Sequence, residues 1–537
     1  MPKKRAEDIR REQEAFWSTG EWDPANYIQP DPPITAVEHA AFRAFHVPTT
    51  QTYACVLPGE LIRLCIEQIE AGLLDPANLV DMLELIVDEY QDLNPMDLQF
   101  VDSIADGGVR LFVAGDDDQS IYAFRFASPA GLQEFLTRHP GAGDHVLTGC
   151  FRCATAIVNA ANALITDYGG YGRIPKILSS LWTTAIPPVE GVVHRWYFTT
   201  HTAEAAAIAA SCASLLEAGL LPSDILVLLS SRQLFPAIKK EFESNGLPFQ
   251  PPKEESWTDS DAGRFLLGVL RVVCSQADYV AHRLILGCRR GVGVKTCRDI
   301  VERVVANNLN YADVFRQIPP PGGFTGRLRT AIDSTRQVIE TVAEWTGNDA
   351  LGERRESLAT LLLDARSAAE SAEWEELAAT LPDGMTLAEL RDYIWTDTED
   401  QRQTQLAGVL ERLDMDPPST PSDSGIRVMT MHGAKGLQGK VVFIPGLEEQ
   451  VLPSARNAER AGLVLEGARL LYVSITRAQA AVVLSWASRR FIAGASVVHH
   501  ASRYAAHLGG AFERRTQSLT SAEVATIMQA IQEMSEV

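Results

Sequence analysis

The sequence predicts an α/β protein built on parallel sheet, and three observations predict it. The run Leu85-Ile86-Val87 is short, apolar and β-branched, as a buried strand is, and it stops abruptly in Asp88-Glu89-Tyr90-Gln91-Asp92. A second run, Leu111-Phe112-Val113-Ala114, stops as abruptly in Gly115-Asp116-Asp117-Asp118-Gln119. Between them, Met96 to Ile104 has helical apolar spacing, which completes a βαβ unit. Ligands of open α/β sheets collect at the carboxyl ends of the strands, where both acidic clusters fall.

The residue types at those ends fit phosphate chemistry. An aspartate just off a buried strand can hold Mg²⁺, and the metal in turn takes phosphate oxygens. A neighbouring glutamate is placed to orient and deprotonate an attacking water. Asp88 and Glu89 fit these two roles, and the neutral donor and acceptor Gln119 can sense a terminal phosphate. Taken singly, each cluster also reads as a solvated strand-to-helix turn.

The remaining elements follow in order. Residues 3–20 read as a charged amphipathic helix, either a solvated face or a basic arm, and Trp22 to Pro33 is a Pro-rich loop. Leu57 to Leu74 is an amphipathic helix. After the βαβ unit come a helix over Ser128 to His139, a strand over Val146 to Thr148 and a Gly/Tyr linker over Tyr168 to Arg173. A second α/β pattern begins with a strand at Gly191 to Trp196, a helix at Thr202 to Ala218 and a buried strand at Asp224 to Leu229. A helical insertion, broken at Pro319 to Gly323, occupies roughly Asp278 to Ser424 and ends in the linker PPSTPSDSG. Strands at Arg427 to Met431 and Val441 to Ile444 then resume the second pattern. The domains expected are 1–82, an N-terminal helical segment; 83–173, a first α/β domain; 174–277 and 425–537, a second one; and 278–424, its helical insertion.

Composition narrows the class. With 46% hydrophobic and 22% charged residues in 537, the chain can bury large cores. No apolar run reaches the ~18 residues of a membrane span. The segment after Met1 leads into charge rather than a signal-peptide core, which predicts a cytoplasmic protein without a membrane partner. Eight scattered cysteines suit a reducing compartment; Cys150 and Cys153 have metal-like spacing but no second pair. A net charge of −21 argues against general polyanion binding, leaves room for a narrow basic channel between domains, and predicts weak, salt-sensitive binding to DNA.

DEYQD followed by VAGDDDQSIYAFR resembles motifs II and III of the UvrD/Rep-type superfamily 1 DNA helicases. LTGCFRCATAIVNAANALI (Leu147 to Ile165) resembles their motif IV, VMTMHGAKGLQGKVVFIPGL (Val428 to Leu447) motif V, and EGARLLYVSITRAQAAVVLSW (Glu466 to Trp486) motif VI. The resemblance implies two RecA-like domains, the first incomplete, and an ATP- and Mg²⁺-dependent motor on single-stranded DNA moving 3′ to 5′. It places Phe151 against the nucleotide base, Arg152 at the γ-phosphate, Lys435 near the domain interface, Gln438 near nucleotide and Arg477 as the arginine finger. It places Tyr122, Phe124, Arg125, Thr430 and His432 near DNA, where aromatic faces stack on bases. Three positions depart from the pattern: Gln438 stands where the family has an acid, Phe124 where it has Trp, and Phe126 where it has Gly.

The phosphate cradle is missing from the stretch where the resemblance puts it. A P-loop needs GxxxxGK[ST] between a strand and a helix, and no such stretch precedes Asp88. GCRRGVGVKT (Gly287 to Thr296) is one residue out of step and follows a helical pattern, which resembles the family's Gly-turn toward duplex backbone. GLQGK (Gly436 to Lys440) lacks the Ser or Thr. Two functions remain open: a helicase or translocase whose P-loop is supplied in trans or lost by truncation, and a nonhydrolysing DNA-binding or scaffold subunit. In the implied fold the P-loop strand lies between those ending in motifs II and III. That leaves three outcomes: direct pairing, a surrogate strand from Tyr53 to Leu57, or a strand donated by a partner protein.

Overall fold

The structure, a computed structural model, describes residues 3–21, 30–76, 83–168, 170, 172–184, 188–252, 257–289, 291–365, 368–396, 399–415, 425–492 and 495–535. The chain divides into two compact units, one of residues 1–31, 58–253 and 421–537, the other of residues 32–57 and 254–420.

In the first unit β1 (Glu84–Val87) and β2 (Arg110–Val113) pair in parallel, with Ile86 opposite Phe112. The helix Pro95–Asp106 makes the crossover, started by an Asn94–Asp97 capping box with Pro95 at its first turn. Among the described residues this sheet has two strands, so both outer edges carry unpaired backbone groups. Register puts Ile86 and Phe112 on one face, and they are 69% and 61% exposed. The helices Lys3–Thr19 and Pro58–Glu70 also belong to this unit.

A short parallel pair, β3 (Gly149–Cys150) with β4 (Ser179–Ser180), leads into the unit's main sheet. That sheet is built from β5 (Val192–Phe198), β6 (Ile225–Leu229), β7 (Phe249–Gln250), β8 (Ile426–Thr430), β9 (Gly439–Ile444), β10 (Ala478–Ala487) and β13 (Glu513–Arg514). The order is β13-β5-β10-β9-β6-β8-β7, parallel throughout. Parallel sheet is covered on both faces, and β6 shows it: all five of its residues are buried. Ile225, Val227 and Leu229 face a core shared with the helices His201–Glu217 and Ser521–Ser535. Leu226 and Leu228 face the other, shared with Thr155–Tyr168 and Ala461–Ile475. Beyond β10 the hairpin β11 (Arg489–Ile492) and β12 (Ala495–Val498) carries Arg490 inward. There Arg490 donates to both oxygens of Glu448, at 2.6 and 2.7 Å, and to Glu204.

The second unit is helical. One core gathers Phe265, Leu270, Leu358, Trp374 and Leu390; another gathers Ile300, Val304, Tyr311 and Phe315 with Tyr53 from the helix Ala36–Tyr53. Tyr53 meets Tyr311 edge-on at 5.0 Å. Among the described residues no helix is long and apolar enough to cross a membrane.

Of the three outcomes expected for this sheet the structure has direct pairing, and three other expectations change. Direct pairing of β1 with β2 leaves no slot between them for a P-loop strand; a further strand can add only at an edge. Tyr53 ends a helix, and Cys55 to Leu57 form no strand, so the surrogate is not there. The Ser128 to His139 helix is two short ones, Ala130–Gln133 and Phe135–Arg138, broken at Glu134. At the break Arg138 donates to the Gly131 carbonyl (2.9 Å) and to the Tyr90 hydroxyl (2.8 Å), taking the place of helical bonds. The strand expected at Val146 to Thr148 begins at Gly149 instead, because Leu147 is 87% exposed and has no face to bury. The Trp22 to Pro33 loop and the linker ending at Gly425 lie largely outside the described residues.

Replacing both Ile86 and Phe112 with Ser will leave the melting temperature of this chain within about a degree of the parent, since neither side chain loses burial. The same pair will reduce self-association in sedimentation, because a contiguous apolar face is removed.

Candidate nucleotide and DNA site

The site forms where β1 and β2 end. Glu89 takes a left-handed backbone (φ +51), which turns the chain sharply after Asp88. The Glu89 N–H donates to Asp88 Oδ1 at 2.8 Å, and both side chains reach solvent. The two motif loops are stitched together by Gln91, which is wholly buried. Its amide donates to Glu89 Oε2 at 2.5 Å, and its carbonyl oxygen accepts the Asp116 N–H at 2.9 Å. A Cβ on Gly115 would sit 2.5 Å from that oxygen, so any larger residue there would displace the Gln91 amide. Sequence reasoning passed over Gln91; the signal was a neutral amide inside an acidic run.

Lys435 brings the motif V turn to the same place. Its ammonium lies 3.0 Å from Glu89 Oε2 and 2.6 Å from Asp92 Oδ2, and it donates to the Gln119 carbonyl at 3.4 Å. It also lies 5.2 Å from the centre of the Tyr122 ring. Arg152 donates to Gln438 Oε1 at 3.2 Å and to the Thr476 carbonyl at 3.3 Å. Arg477 is 3% exposed and bonds the carbonyls of Val473 (3.0 Å) and Leu437 (3.3 Å). Burial, then the charge of Arg152, pushes Arg477 down to about 10. Among the described residues neither arginine has an ion-pair partner. Phe151 is 79% exposed.

Thus Asp88, Glu89, Gln119, Arg152, Lys435, Gln438 and Arg477 lie in connected contacts, with two qualifications. The Gln119 amide is engaged by Asp116 at 2.8 Å, and Arg477 is held by backbone carbonyls rather than projecting into solvent. The acidic triplet Asp116, Asp117 and Asp118 has ligand atoms within 4.8 Å of one another, as a metal site would. Lys176 occupies that position instead, 3.0 Å from Asp116 and Asp118 and closer still to Asp117, while Arg173 pairs with Asp118 at 2.8 Å. The triplet therefore fastens the segment Arg173–Lys176. Asp88, exposed and with one oxygen uncommitted to Glu89, is the better oxygen ligand for Mg²⁺.

The residues expected near DNA gather around His432. Phe124 meets Tyr122 edge-on at 5.7 Å and His432 at 5.8 Å, and Phe124 is 63% exposed. Burial lowers the His432 pKa despite a bond to the Ile121 backbone. Arg125 is exposed beside the cluster, and half-buried Thr430 accepts the Gly433 N–H at 3.2 Å.

Glu466, also passed over in the sequence, supports this cluster by accepting the Ala123 N–H at 2.7 Å. Burial pushes its pKa from the ordinary 4.5 to about 7. A pKa raised by folding contributes stability at pH below 4.5 that is lost as the pH climbs through about 7. Glu466→Gln keeps the acceptor without the charge. It will raise the melting temperature at pH 8 and leave it unchanged at pH 4; a shift equal at both pH values would contradict the assignment.

The family model for the UvrD-like helicase C-terminal domain matches residues 145–489, and that for the UvrD/REP helicase N-terminal domain matches residues 80–140. DNA helicase II of Salmonella typhimurium is 26% identical over 431 residues, 79% of this chain and 58% of that protein. The ATP-dependent DNA helicase PcrA of Bacillus subtilis is 28% identical over 433 residues, 79% of this chain and 57% of its own. DNA helicase II of Escherichia coli is 25% identical over 431 residues. The chain therefore spans under two thirds of the length of these relatives. With the C-terminal domain model covering more than half of it, the chain belongs to the UvrD-like helicase family.

Proposed function

We propose that this chain carries the acid pair, the arginines and the DNA-stacking residues of an ATP-driven motor on single-stranded DNA, moving 3′ to 5′, whose phosphate cradle is supplied by polypeptide outside these residues. One observation carries the reading. Among the described residues two arginines have no carboxylate partner, Arg152 and Arg477, and both bond carbonyls of the motif V and VI loops, from which Lys435 reaches Glu89. Such cations, on loops that Lys435 joins to the turn carrying Asp88, suit a polyphosphate. Asp88 would hold Mg²⁺, whose chemistry there is neutralisation of phosphate charge. Glu89 would orient water and accept its proton, which requires its carboxylate to leave Lys435. Arg152 and Arg477 would balance charge on the transferring phosphoryl group. Phe124, with Tyr122 and His432 behind it, would stack on a base.

The open edges of the β1–β2 sheet and its exposed face of Ile86 and Phe112 are where a P-loop-bearing segment fits, encoded upstream or on a partner protein. A second reading, a nonhydrolysing DNA-binding or scaffold subunit, draws on the pairing of Glu89 with Lys435, which holds the base away from its work.

The test is DNA-stimulated ATP hydrolysis. Alone, the chain will turn over little Mg-ATP. Adding a P-loop segment from a PcrA-type helicase will raise hydrolysis, and Glu89→Gln will abolish the gain. Hydrolysis by the isolated chain that Glu89→Gln abolishes would remove the need for a cradle, and no hydrolysis in either case would leave the second reading.

Binding to a single-stranded oligonucleotide, followed by fluorescence anisotropy, will fall steeply as salt rises. Phe124→Ala will weaken it by about 1–3 kcal/mol. An unchanged affinity would place Phe124 outside the DNA path.

A further inference from the structure

The turn that presents Phe151 and Arg152 is bracketed by two cysteines, and the fold fixes both. Cys150 ends β3, in register with Ser180. Cys153 precedes the helix Thr155–Tyr168, and its carbonyl accepts the Ser180 hydroxyl at 2.7 Å. The Ala154 N–H bonds the Gln479 carbonyl at 2.8 Å, so the backbone is held on either side of the turn. The groups that act on the Cys150 sulfur are the Cys153 thiol and the N–H groups of Cys153 and Arg152. Cys150 is half-buried; Cys153 is fully buried and donates to the Thr476 carbonyl at 3.4 Å.

Both thiols are free in the structure. Charged groups near them are Arg152 and Arg477, with the Tyr472 hydroxyl also close. The Cys153 thiol, with the backbone donors and Arg152, pulls Cys150 down to about 6, while Cys153 is held well above the ordinary thiol value. The contrast within the chain is sharp: burial raises Cys212, Cys274 and Cys297. Attack on a disulfide needs an accessible thiolate with a second thiol alongside to close the bond, and this pair supplies both.

We propose that Cys150 and Cys153 form a reversible dithiol–disulfide pair, Cys150 attacking and Cys153 resolving, with a small-molecule disulfide such as oxidised glutathione as the oxidant. In the first step the Cys150 thiolate bonds to one sulfur of the oxidant, whose S–S bond breaks, and one thiolate leaves and takes up a proton. In the second, Cys153 gives up its proton and attacks the Cys150 sulfur, and the second small thiol leaves. Two protein thiols are oxidised and one disulfide is reduced to two thiols.

Closure draws the Cys153 sulfur from the Thr476 carbonyl that Arg152 shares, so the bond acts on the arginine linking motif IV to motifs V and VI. Its effect on nucleotide rests on the function proposed above; the thiol chemistry is tested without it.

Trypsin cuts after Arg152, so the disulfide joins two peptides, residues 139–152 and 153–173, that are separate when reduced. Treating the full chain with oxidised glutathione at pH 7 will produce the linked pair, seen by mass spectrometry and lost on adding dithiothreitol. Cys150 will react roughly tenfold faster than the chain's other cysteines outside the pair. Cys153→Ser will stop at a stable glutathione adduct on Cys150, and Cys150→Ser will leave Cys153 unmodified. Three results would overturn the proposal: an adduct on Cys150 that never closes in the parent chain, faster reaction at Cys55 or Cys65, or modification of Cys153 in Cys150→Ser. Circular dichroism of both variants establishes that each is folded.

Discussion

The ammonium of Lys435 is the group on which the candidate site depends. It is 8% exposed, yet it satisfies Glu89, Asp92 and the Gln119 carbonyl and packs over Tyr122. A charge withdrawn from water this far must be paired, and removing one member of such a cluster typically costs about 3–5 kcal/mol. The cost falls on Asp92 in particular: burial raises its pKa, and Lys435 is the cation that counters it. One side chain from the β8 end thereby joins the turn after β1 to the loop after β2. No surface ion pair could do this, because exposed pairs are worth a fraction as much and are screened by salt.

The two sheets of this unit answer to different constraints. The seven-stranded sheet is covered on both faces, and its buried Glu204–Arg490–Glu448 cluster ties the β11–β12 hairpin to the helix His201–Glu217. The β1–β2 pair has two four-residue strands, half-buried residues on one face and exposed apolar ones on the other. Two strands of that length do not hold their geometry alone. What holds it is polar: Gln91 between the loops, Lys435 across them, and Lys176 with Arg173 on the acidic triplet. The acids that the sequence presents as a ligand set are thus divided. Three fasten the fold, and Asp88 and Glu89 stay at the surface.

Strands were legible where a β-branched run met an abrupt polar stop, as at Leu85 to Val87 and Asp224 to Leu229; burial was legible only in the second, since the expected buried strand at Leu85 to Val87 has Ile86 exposed and its neighbours half-buried. Helices with Pro or short breaks were not legible. Ala36–Tyr53 carries Pro48 inside it and had no expected counterpart, and the break at Glu134 depends on Arg138 reaching Tyr90. Site residues were legible by type and motif; their pairings were not. Lys435 meets Glu89 and Arg173 meets Asp118 through tertiary folding, which local spacing does not encode. Burial of Arg477 was equally hidden, since an arginine after an apolar helix reads the same whether it projects or is covered.

The departures from the family pattern act on the charge and shape of this cleft. Phe126 holds a left-handed backbone (φ +64), the conformation that glycine adopts freely and other residues adopt at a cost of about 1–2 kcal/mol. The turn is therefore kept although the glycine is not, and the aromatic cluster beside it keeps its position. At Gln438 the consequence is electrostatic. An acid bonded to Arg152 would neutralise it; the amide accepts the same hydrogen bond at 3.2 Å and leaves the charge in place. Arg152 thus keeps its charge beside Arg477, which burial and then Arg152 itself depress. In a chain of net charge −21, two arginines without carboxylate partners among the described residues favour an anion beside them.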